Sequence, residues 1–522
     1  MAFDGQIVEL PLGQDGLTGS NNIAAISPAA FIDATNIAYD SGAIRKEGGA
    51  TKYNTSVISG APTVLGGWDW FPTAGVQRMV VYTSAGTLLK DSGAGTFATT
   101  LKSGLNTTCV PVFVEGGQEA GTNARKLFTF NGANVVQVLN ADGATTSDIT
   151  TPPADWTGST QPISGCIHEG RLWGALNNRV YYSLPTNHED FTTAGSGSLA
   201  VFPGEGERIV QIMSYKGILI IWKSPRGIYA IDTTSVTVAD WRVARITLNI
   251  GSQGPLTAVA TEDDVLFVDS GFNFQFLSGI QEFGQLGSKN LSNIHYFTEY
   301  LRAVANFGRM DKVRGVYYAA RREAHFTVSA LGSAVNSARV VVDFNRPDIP
   351  RFRWSPRDVC ESIWMRRDTS GIPRPLIGDN AGFVWFLDQP ARSKDGLGFL
   401  GQFQTPHTDF SFADPTLAVR RKSGRFLELV ANQTGNWATH VDIIWDGTSV
   451  QTVDFNMGTS GVALGTFIIG TDKLGGAIAA AIRHRIVGSG RRLSLRFYNN
   501  GVSEDFSISK AFVGFQPSDE RP

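Results

Sequence analysis

Glu262-Asp263-Asp264 is the sharpest cluster of chemically capable side chains in this sequence. Paired carboxylates can protonate a leaving oxygen and either attack or activate water, which is the chemistry of glycoside hydrolysis. The cluster falls between the apolar runs Ala258-Val259-Ala260 and Val265-Leu266-Phe267-Val268, where a hairpin needs a turn, so a solvated turn is the expectation. The Ser-x-Asp-x-Gly-x-x-Trp turn that many sialidases repeat does not occur. No phosphate-binding Gly-x-x-x-x-Gly-Lys-Ser/Thr loop, Gly-x-Ser-x-Gly elbow or His-Glu-x-x-His helix occurs either. The seven histidines lack the spacing of metal ligands, and His168, beside a turn, reads as a half-exposed strand residue. Cys109, Cys166 and Cys360 are odd in number and far apart, which argues for small buried apolar residues in a reducing compartment rather than a disulfide framework. The expectation is a protein that is not an enzyme, with no catalytic residues, no cofactor and no metal.

Basic residues are the remaining candidates. Arg420-Arg421-Lys422, Arg425, Arg483, Arg485, Arg491, Arg492 and Arg496 lie towards the C-terminus and are candidates for one shared face. Contact with DNA is one use for such a face. Acidic residues nearby nearly balance it, so an intersubunit ion-pair surface is the favoured one.

The elements that must position these residues are short strands. From Trp68 to Asp388 a unit of three apolar strands and two tight turns recurs about every 45 to 50 residues, the spacing of β-propeller blades. Gly165–His168, Arg171–Leu176 and Arg179–Leu184 form the most compact unit, with turns at Glu169-Gly170 and Asn177-Asn178. Val110–Val114, Lys126–Phe130 and Asn134–Leu139 repeat it, as do Ile209–Met213, Ile218–Trp222 and Gly227–Ile231. The fold class is all-β: a propeller of about seven blades over residues 63–388, with an extended N-terminal arm before it and a β-sandwich after it.

Residues 1–62 read as that arm. Ser27-Pro28 predicts the N-terminus of a short helix through Ala34, and Asp40-Ser41-Gly42 predicts a hairpin joining Ile37–Tyr39 to Ala43–Arg45. Before Ser27 the chain has too few apolar residues to be held on its own propeller. Ile294, Phe297, Leu301 and Val304 predict one helix after Ser292. Residues 389–400 read as a linker, and 401–522 as the sandwich, with strands at Phe426–Val430, Val441–Trp445, Phe467–Ile469, Arg492–Tyr498 and Phe506–Ser509.

The chain has 522 residues, 58 of them Gly, with 18% charged residues and a net charge of −2. That composition predicts several globular units with little helix and no general attraction to nucleic acid or anionic membrane. The first residues have neither the basic nor the apolar segment of a signal peptide, and no apolar run reaches the ~18 residues of a membrane span. Assembly in the cytoplasm is the expectation.

Leu10-Pro11-Leu12-Gly13, Ala34-Thr35-Asn36-Ile37 and Gly42-Ala43-Ile44-Arg45-Lys46-Glu47-Gly48-Gly49 resemble the opening of tail proteins of tailed bacteriophages. Trp68-Asp69-Trp70-Phe71, Arg78–Tyr82, Tyr296-Phe297, Val342-Asp343-Phe344 and Phe352-Arg353-Trp354 are similar to later parts of the same group. The nearest role in that family is the tail nozzle, or tail-stabilisation protein, of short-tailed phages. The resemblance implies a structural virion protein forming a hexameric ring beneath the portal adaptor ring. It implies that the ring retains packaged DNA, conducts it without sequence specificity at ejection, and meets tail fibres or spikes. A carbohydrate-binding or glycan-cleaving propeller and a cellular scaffold propeller are the other readings.

Overall fold

The computed structural model describes residues 5–518 apart from 21, 23–25, 41, 74, 94, 119–124, 141–142, 206, 278–288, 292–295, 347–349, 369 and 459–479. Successive antiparallel units follow the apolar runs of the sequence. The first contains Val64–Thr73, Val76–Thr83, Thr87–Lys90 and Thr99–Lys102, and the third Ser164–His168, Arg171–Leu176, Arg179–Tyr182 and Gly197–Ala200. Glu169, Gly170 and Asn177 take positive φ in the turns of the third unit, as the turn chemistry requires. Each blade has a fourth, outer strand beyond the three legible ones. Several of those strands are short and partly or fully exposed, as at Thr99–Lys102 and Gly197–Ala200, so they carry no apolar signature.

Six four-stranded sheets stand as separate blades, and this corrects the expectation of about seven like blades. The strands Arg314–Tyr318, Glu323–Val328, Ala338–Asp343 and Arg351–Ser355 occupy the remaining sector of the ring, but they run on into a nine-stranded sheet. Arg351–Ser355 pairs in parallel with Asp33–Thr35, which pairs with Gly401–Gln404, and the sheet continues through Leu493–Asn499, Ala438–Trp445 and Thr448–Asn456. Apolar clusters fill the spaces between neighbouring units. Phe128 and Leu172 meet in one, Trp173 and Ile221 in the next, and Trp222 and Phe267 in a third.

The N-terminal residues are built into this body. Gly49–Lys52 is the outer strand of the last blade, pairing with Val384–Gln389, so the first blade-forming strand closes the ring made by the last. Gly49 has no room for a side chain there, since a Cβ would lie 1.8 Å from the Ala391 carbonyl oxygen. Gln6–Leu10 pairs in register with Ala511–Phe515, burying Val8 and Leu10, so the arm is held by its own chain and that expectation is corrected. The hairpin is present as Ile37–Asp40 and Ala43–Lys46. The helix after Ser27 is not. The Ser27 hydroxyl and carbonyl accept the Ala29 and Ala30 N–H groups in a turn, and Ala30–Phe31 then pairs with Gly16–Leu17. Packing overrides the capping signal there, because Phe31 is fully buried with its ring 4.9 Å from that of Phe403.

The helix Phe297–Val304 is present, with Phe297 stacked on Phe352 at 4.2 Å; Ser292 and Ile294 lie outside the described residues, as does Phe467–Ile469. The 389–400 linker is corrected too. Arg392 and Ser393 are buried, and Lys394 bridges to Ala50. The boundaries expected at 62, 388 and 400 therefore do not mark separate bodies. Behind them, a seven-stranded sheet centred on Arg421–Ala431 and Ser507–Ser518 shares one apolar cluster with the nine-stranded sheet, through Leu427, Leu429 and Val513 on one side and Val441, Leu495 and Phe497 on the other.

A buried ion network ties these parts together. Along Glu323–Val328, Ala338–Asp343 and Arg351–Ser355 the apolar residues face one way, and Glu323, His325, Arg339 and Arg353 lie among the fully buried polar groups. Arg353 grips Glu323 with two bonds of 2.9 and 2.8 Å. Arg339 donates to Nδ1 of His325 at 3.1 Å and to Glu47 at 3.0 Å, so the imidazole carries its proton on Nε2 and donates it to Glu323 at 3.0 Å. Ser355 donates to the other Glu47 oxygen at 3.0 Å. Arg357 and Lys394 approach Asp358 at 2.8 and 3.2 Å. Burial alone would raise the carboxyls of Glu47 and Asp358, but the surrounding arginines outweigh it and hold both at about 2. Burial pushes His325 below its ordinary value, against the pull of Glu323.

Two outcomes are expected. Deleting residues 1–53 removes Glu47 and the closing strand, and should abolish the cooperative unfolding transition in calorimetry. Glu47→Gln leaves Arg339 short of a charge partner and should cost about 3–5 kcal/mol in urea denaturation. In the parent protein the carboxylate contribution is full above pH 4.5 and is lost as pH falls towards 2. His325 adds an earlier loss below pH 6.5, where the unfolded chain takes up a proton that the folded one refuses.

Candidate functional site

The inner strands of the ring enclose an axial cavity of about 1000 Å³. Each inner strand, Val64–Thr73, Arg208–Tyr215 and Arg314–Tyr318 among them, is the last strand of its sheet, so its free edge faces the axis while its side chains pack against the neighbouring blades. Val64 packs with Trp364 on one side and Leu65 with Phe113 on the other. Gly67 permits this crowding, since a Cβ there would sit 2.5 Å from the Trp364 ring. Trp68, Phe113, Met213, Val259, Val316 and Trp364 give the wall its apolar character.

At the end where the inner strands begin, groups from opposite sides reach across the ring. Lys312 donates to the Thr108 carbonyl across the ring at 3.0 Å, and Leu256 packs against the cluster around Phe128. Arg314 lies at this end, and the Gly315 N–H donates to the Leu256 carbonyl beside it. At the other end Gly75, Arg125, Ala260, Arg367 and Pro373 are exposed around an open mouth.

Two carboxyls stand near the mouth on neighbouring inner strands. Asp69 accepts from Gln77 at 2.8 and 2.9 Å and from the Arg367 N–H at 3.1 Å, yet burial keeps its pKa above the ordinary value. Burial also raises Glu115, which accepts from the Trp68 indole at 3.4 Å and has Arg125 3.8 Å away. Raised carboxyls can serve acid catalysis. Here both Asp69 oxygens are already held by Gln77, which makes the pair a polar collar rather than a poised acid and nucleophile. Sequence reasoning missed both residues because a single carboxylate in an apolar strand reads as one on the solvent side.

The residues singled out in the sequence lie elsewhere. Glu262 and Asp263 are exposed in the hairpin turn after Ala258–Ala260, and Asp264 folds inward to accept the Val265 N–H at 2.6 Å. None of the three lines the cavity. His168 corrects its expected half exposure: it is 1% exposed, with Ser214 and Thr233 hydroxyls at 2.8 and 2.6 Å from its two nitrogens. The three cysteines are free, and among the described residues no cluster suits a metal ion. The basic residues do not share a face. Arg483 pairs with Glu428 in the seven-stranded sheet, whereas Arg496 pairs with Asp442 in the nine-stranded one. No described helix is long and apolar enough to cross a membrane.

No protein-family model matches the sequence, and no curated protein matches it. Among solved structures the chain is similar to YCF48 from Cyanidioschyzon merolae, with 9% identity, a TM-score of 0.41, and coverage of 66% of this chain and 99% of that one. It is also similar to BBS1N from a complex with ARL6DN, with 11% identity, a TM-score of 0.40, and coverage of 67% and 96%. At these scores the architecture rests on the strand register given above.

Glu115→Gln should test the collar. A carboxyl whose folded pKa is raised gives its full stability below the unfolded value of about 4.5 and loses it as pH rises. The variant should therefore raise the urea midpoint at pH 7 and leave it unchanged below pH 4.5, with the slope constant.

Proposed function

We propose that the chain is a structural protein of a bacteriophage tail, forming the nozzle or hub ring that retains packaged DNA below the portal adaptor and conducts it at ejection. The observation that carries this reading is what the resemblance-bearing residues do. Asn36 donates to the Leu400 carbonyl at 2.7 Å, Glu47 anchors the buried arginines, and Gly48 and Gly49 fit against 388–393 where no side chain could. The segment that carries the resemblance is thus built into the closure of a rigid scaffold, the property a subunit under load in a ring needs.

The axial cavity sets a limit on how such a ring would work. A volume of about 1000 Å³ spread over a five-residue strand at ~3.3 Å per residue is a bore on the order of 10 Å. That is narrower than a DNA duplex, whose major groove alone is ~12 Å wide. DNA would pass between copies arranged around a common axis, never through one propeller. A second large cavity, of about 980 Å³, lies between Gln6–Leu10, the hairpin and residues 320–323, 345–346 and 351, and its polar lining of Glu9, Asp40, Arg321, Arg346, Arg351 and Lys510 suits contact with a neighbouring copy.

The test is the mass of the native assembly by analytical ultracentrifugation and native mass spectrometry. A six-fold multiple of the 56.3 kDa chain is expected. A stable monomer at micromolar concentration, with no assembly on an adaptor ring, would overturn the reading in favour of a scaffold propeller acting alone.

A further inference from the structure

Lys46 and Asn499 meet in the interior although they are 453 residues apart, and both are fully buried. Lys46 ends the strand Ala43–Lys46 and Asn499 ends Leu493–Asn499, so their contact joins the N-terminal hairpin to the nine-stranded sheet. The lysine stem crosses Gly401, where a Cβ would lie 2.7 Å from its Cγ, and Nζ sits 4.4 Å from the centre of the Phe399 ring. Nζ reaches the Asn499 Oδ1 at 3.4 Å and the Gly501 carbonyl at 3.1 Å. Asp505 and Glu504 supply opposing charge, but among the described residues no carboxylate comes within 4.0 Å of Nζ. A buried ammonium without a close carboxylate is costly, and burial lowers the Lys46 amine to about 8, which brings the neutral, nucleophilic form within reach. The amide opposite is held in one orientation. Asn499 Nδ2 donates to the Ala438 carbonyl at 2.9 Å and to Glu504 at 2.8 Å, while Oδ1 accepts the Gly501 N–H at 3.2 Å. Glu504 folds back over Gly501 because that residue has no side chain: a Cβ there would lie 2.0 Å from the carboxyl carbon. The Asn499 amide thus has an amine beside its carbonyl, a carboxyl on its nitrogen, and a backbone N–H on the oxygen that gains charge when the carbon is attacked. These are the parts of an acyl transfer.

We propose that Lys46 and Asn499 are the site of a self-formed isopeptide cross-link, with Glu504 as the general acid–base. The neutral Nζ attacks Asn499 Cγ with its lone pair, and the charge that develops passes to Oδ1 beneath the Gly501 N–H. The Glu504 carboxylate takes one proton from Nζ and gives it to Nδ2. The Cγ–Nδ2 bond then breaks with its electron pair on nitrogen, ammonia departs, and Glu504 ends in the state in which it began. One amide is exchanged for another, so the step needs no oxidant, reductant or further reactant. The product is a covalent tie between the N-terminal segment and the C-terminal strands. It closes a loop of 453 residues and so restricts the unfolded chain.

Mass spectrometry of the purified full chain, held folded above pH 8, tests this. The intact mass should fall short of the sequence mass by one ammonia. A tryptic map should contain a branched peptide in which Lys46 is joined to Asn499 and is no longer a cleavage site. Glu504→Gln, at a half-buried position, should keep the parent's circular dichroism and slow the mass loss by about a hundredfold or more. Gly501→Ala, which displaces the same carboxyl, should slow it as well. Lys46→Arg should retain the full mass of its sequence; if it does not fold, Glu504→Gln and the map of the parent still decide the matter. A parent chain of full mass after this incubation, or a mass loss as fast in Glu504→Gln as in the parent, would overturn the proposal. An ammonia loss mapped to Asn131-Gly132 or Asn500-Gly501, with Lys46 still cleaved by trypsin, would overturn it in favour of succinimide formation at an Asn-Gly turn.

Discussion

The structure depends on a set of charges that have been taken out of water. Glu47, Glu323 and Asp358 face Arg339, Arg353 and Arg357 at the junction of the ring's shared sector, its last blade and the N-terminal segment, with neutral His325 held between two of them. Removing these groups from solvent costs several kcal/mol per ion, and close pairing, bidentate between Arg353 and Glu323, offsets part of that cost. Such a network contributes less to net stability than to specificity, because it is tolerable in one arrangement of the three segments. It forces Glu47, Glu323, Arg339, Arg353, Arg357 and Lys394 into register, and the strands on either side then have little freedom left.

From that junction the rest of the chain follows as one body. Gly49–Lys52 continues directly from Glu47 and completes the last blade, so closing the ring and burying the network are the same event. Asp33–Thr35 lies a few residues earlier and joins the ring's shared sector to Gly401–Gln404. The sector that would otherwise end in an exposed edge therefore becomes the start of a nine-stranded sheet, and the C-terminal strands are a continuation of the propeller rather than an appendage. Contacts between residues about 350 apart in sequence close this body, which makes its topology non-local throughout.

Rigidity of this kind suits a protein proposed to carry load in a ring. It also explains why the axial cavity is preformed: the inner strands are fixed by the blades behind them. The cavity has an apolar wall and a mixed-charge collar at its mouth.

Much of the propeller was legible in the sequence, because inner and middle strands such as Arg171–Leu176 and Ile218–Ser224 are continuous apolar runs closed by Gly or Asn turns, and local chemistry dictates both. The hairpin at Ile37–Lys46 and the helix at Phe297–Val304 were legible for the same reason. Outer strands such as Gly197–Ala200 were not, since an exposed polar edge looks like a loop until a neighbour pairs with it. Nor was the site. Arg339, Arg353 and Glu323 alternate with apolar residues as a solvated strand face would, and Asp69, Glu115 and Arg314 each stand alone in the sequence. The sequence by itself determined that short strands would stack as blades. Only the tertiary structure decided that the charged faces would be buried against Glu47 and that the N-terminal segment would close the ring, because burial and pairing are properties of what the fold brings together from hundreds of residues away.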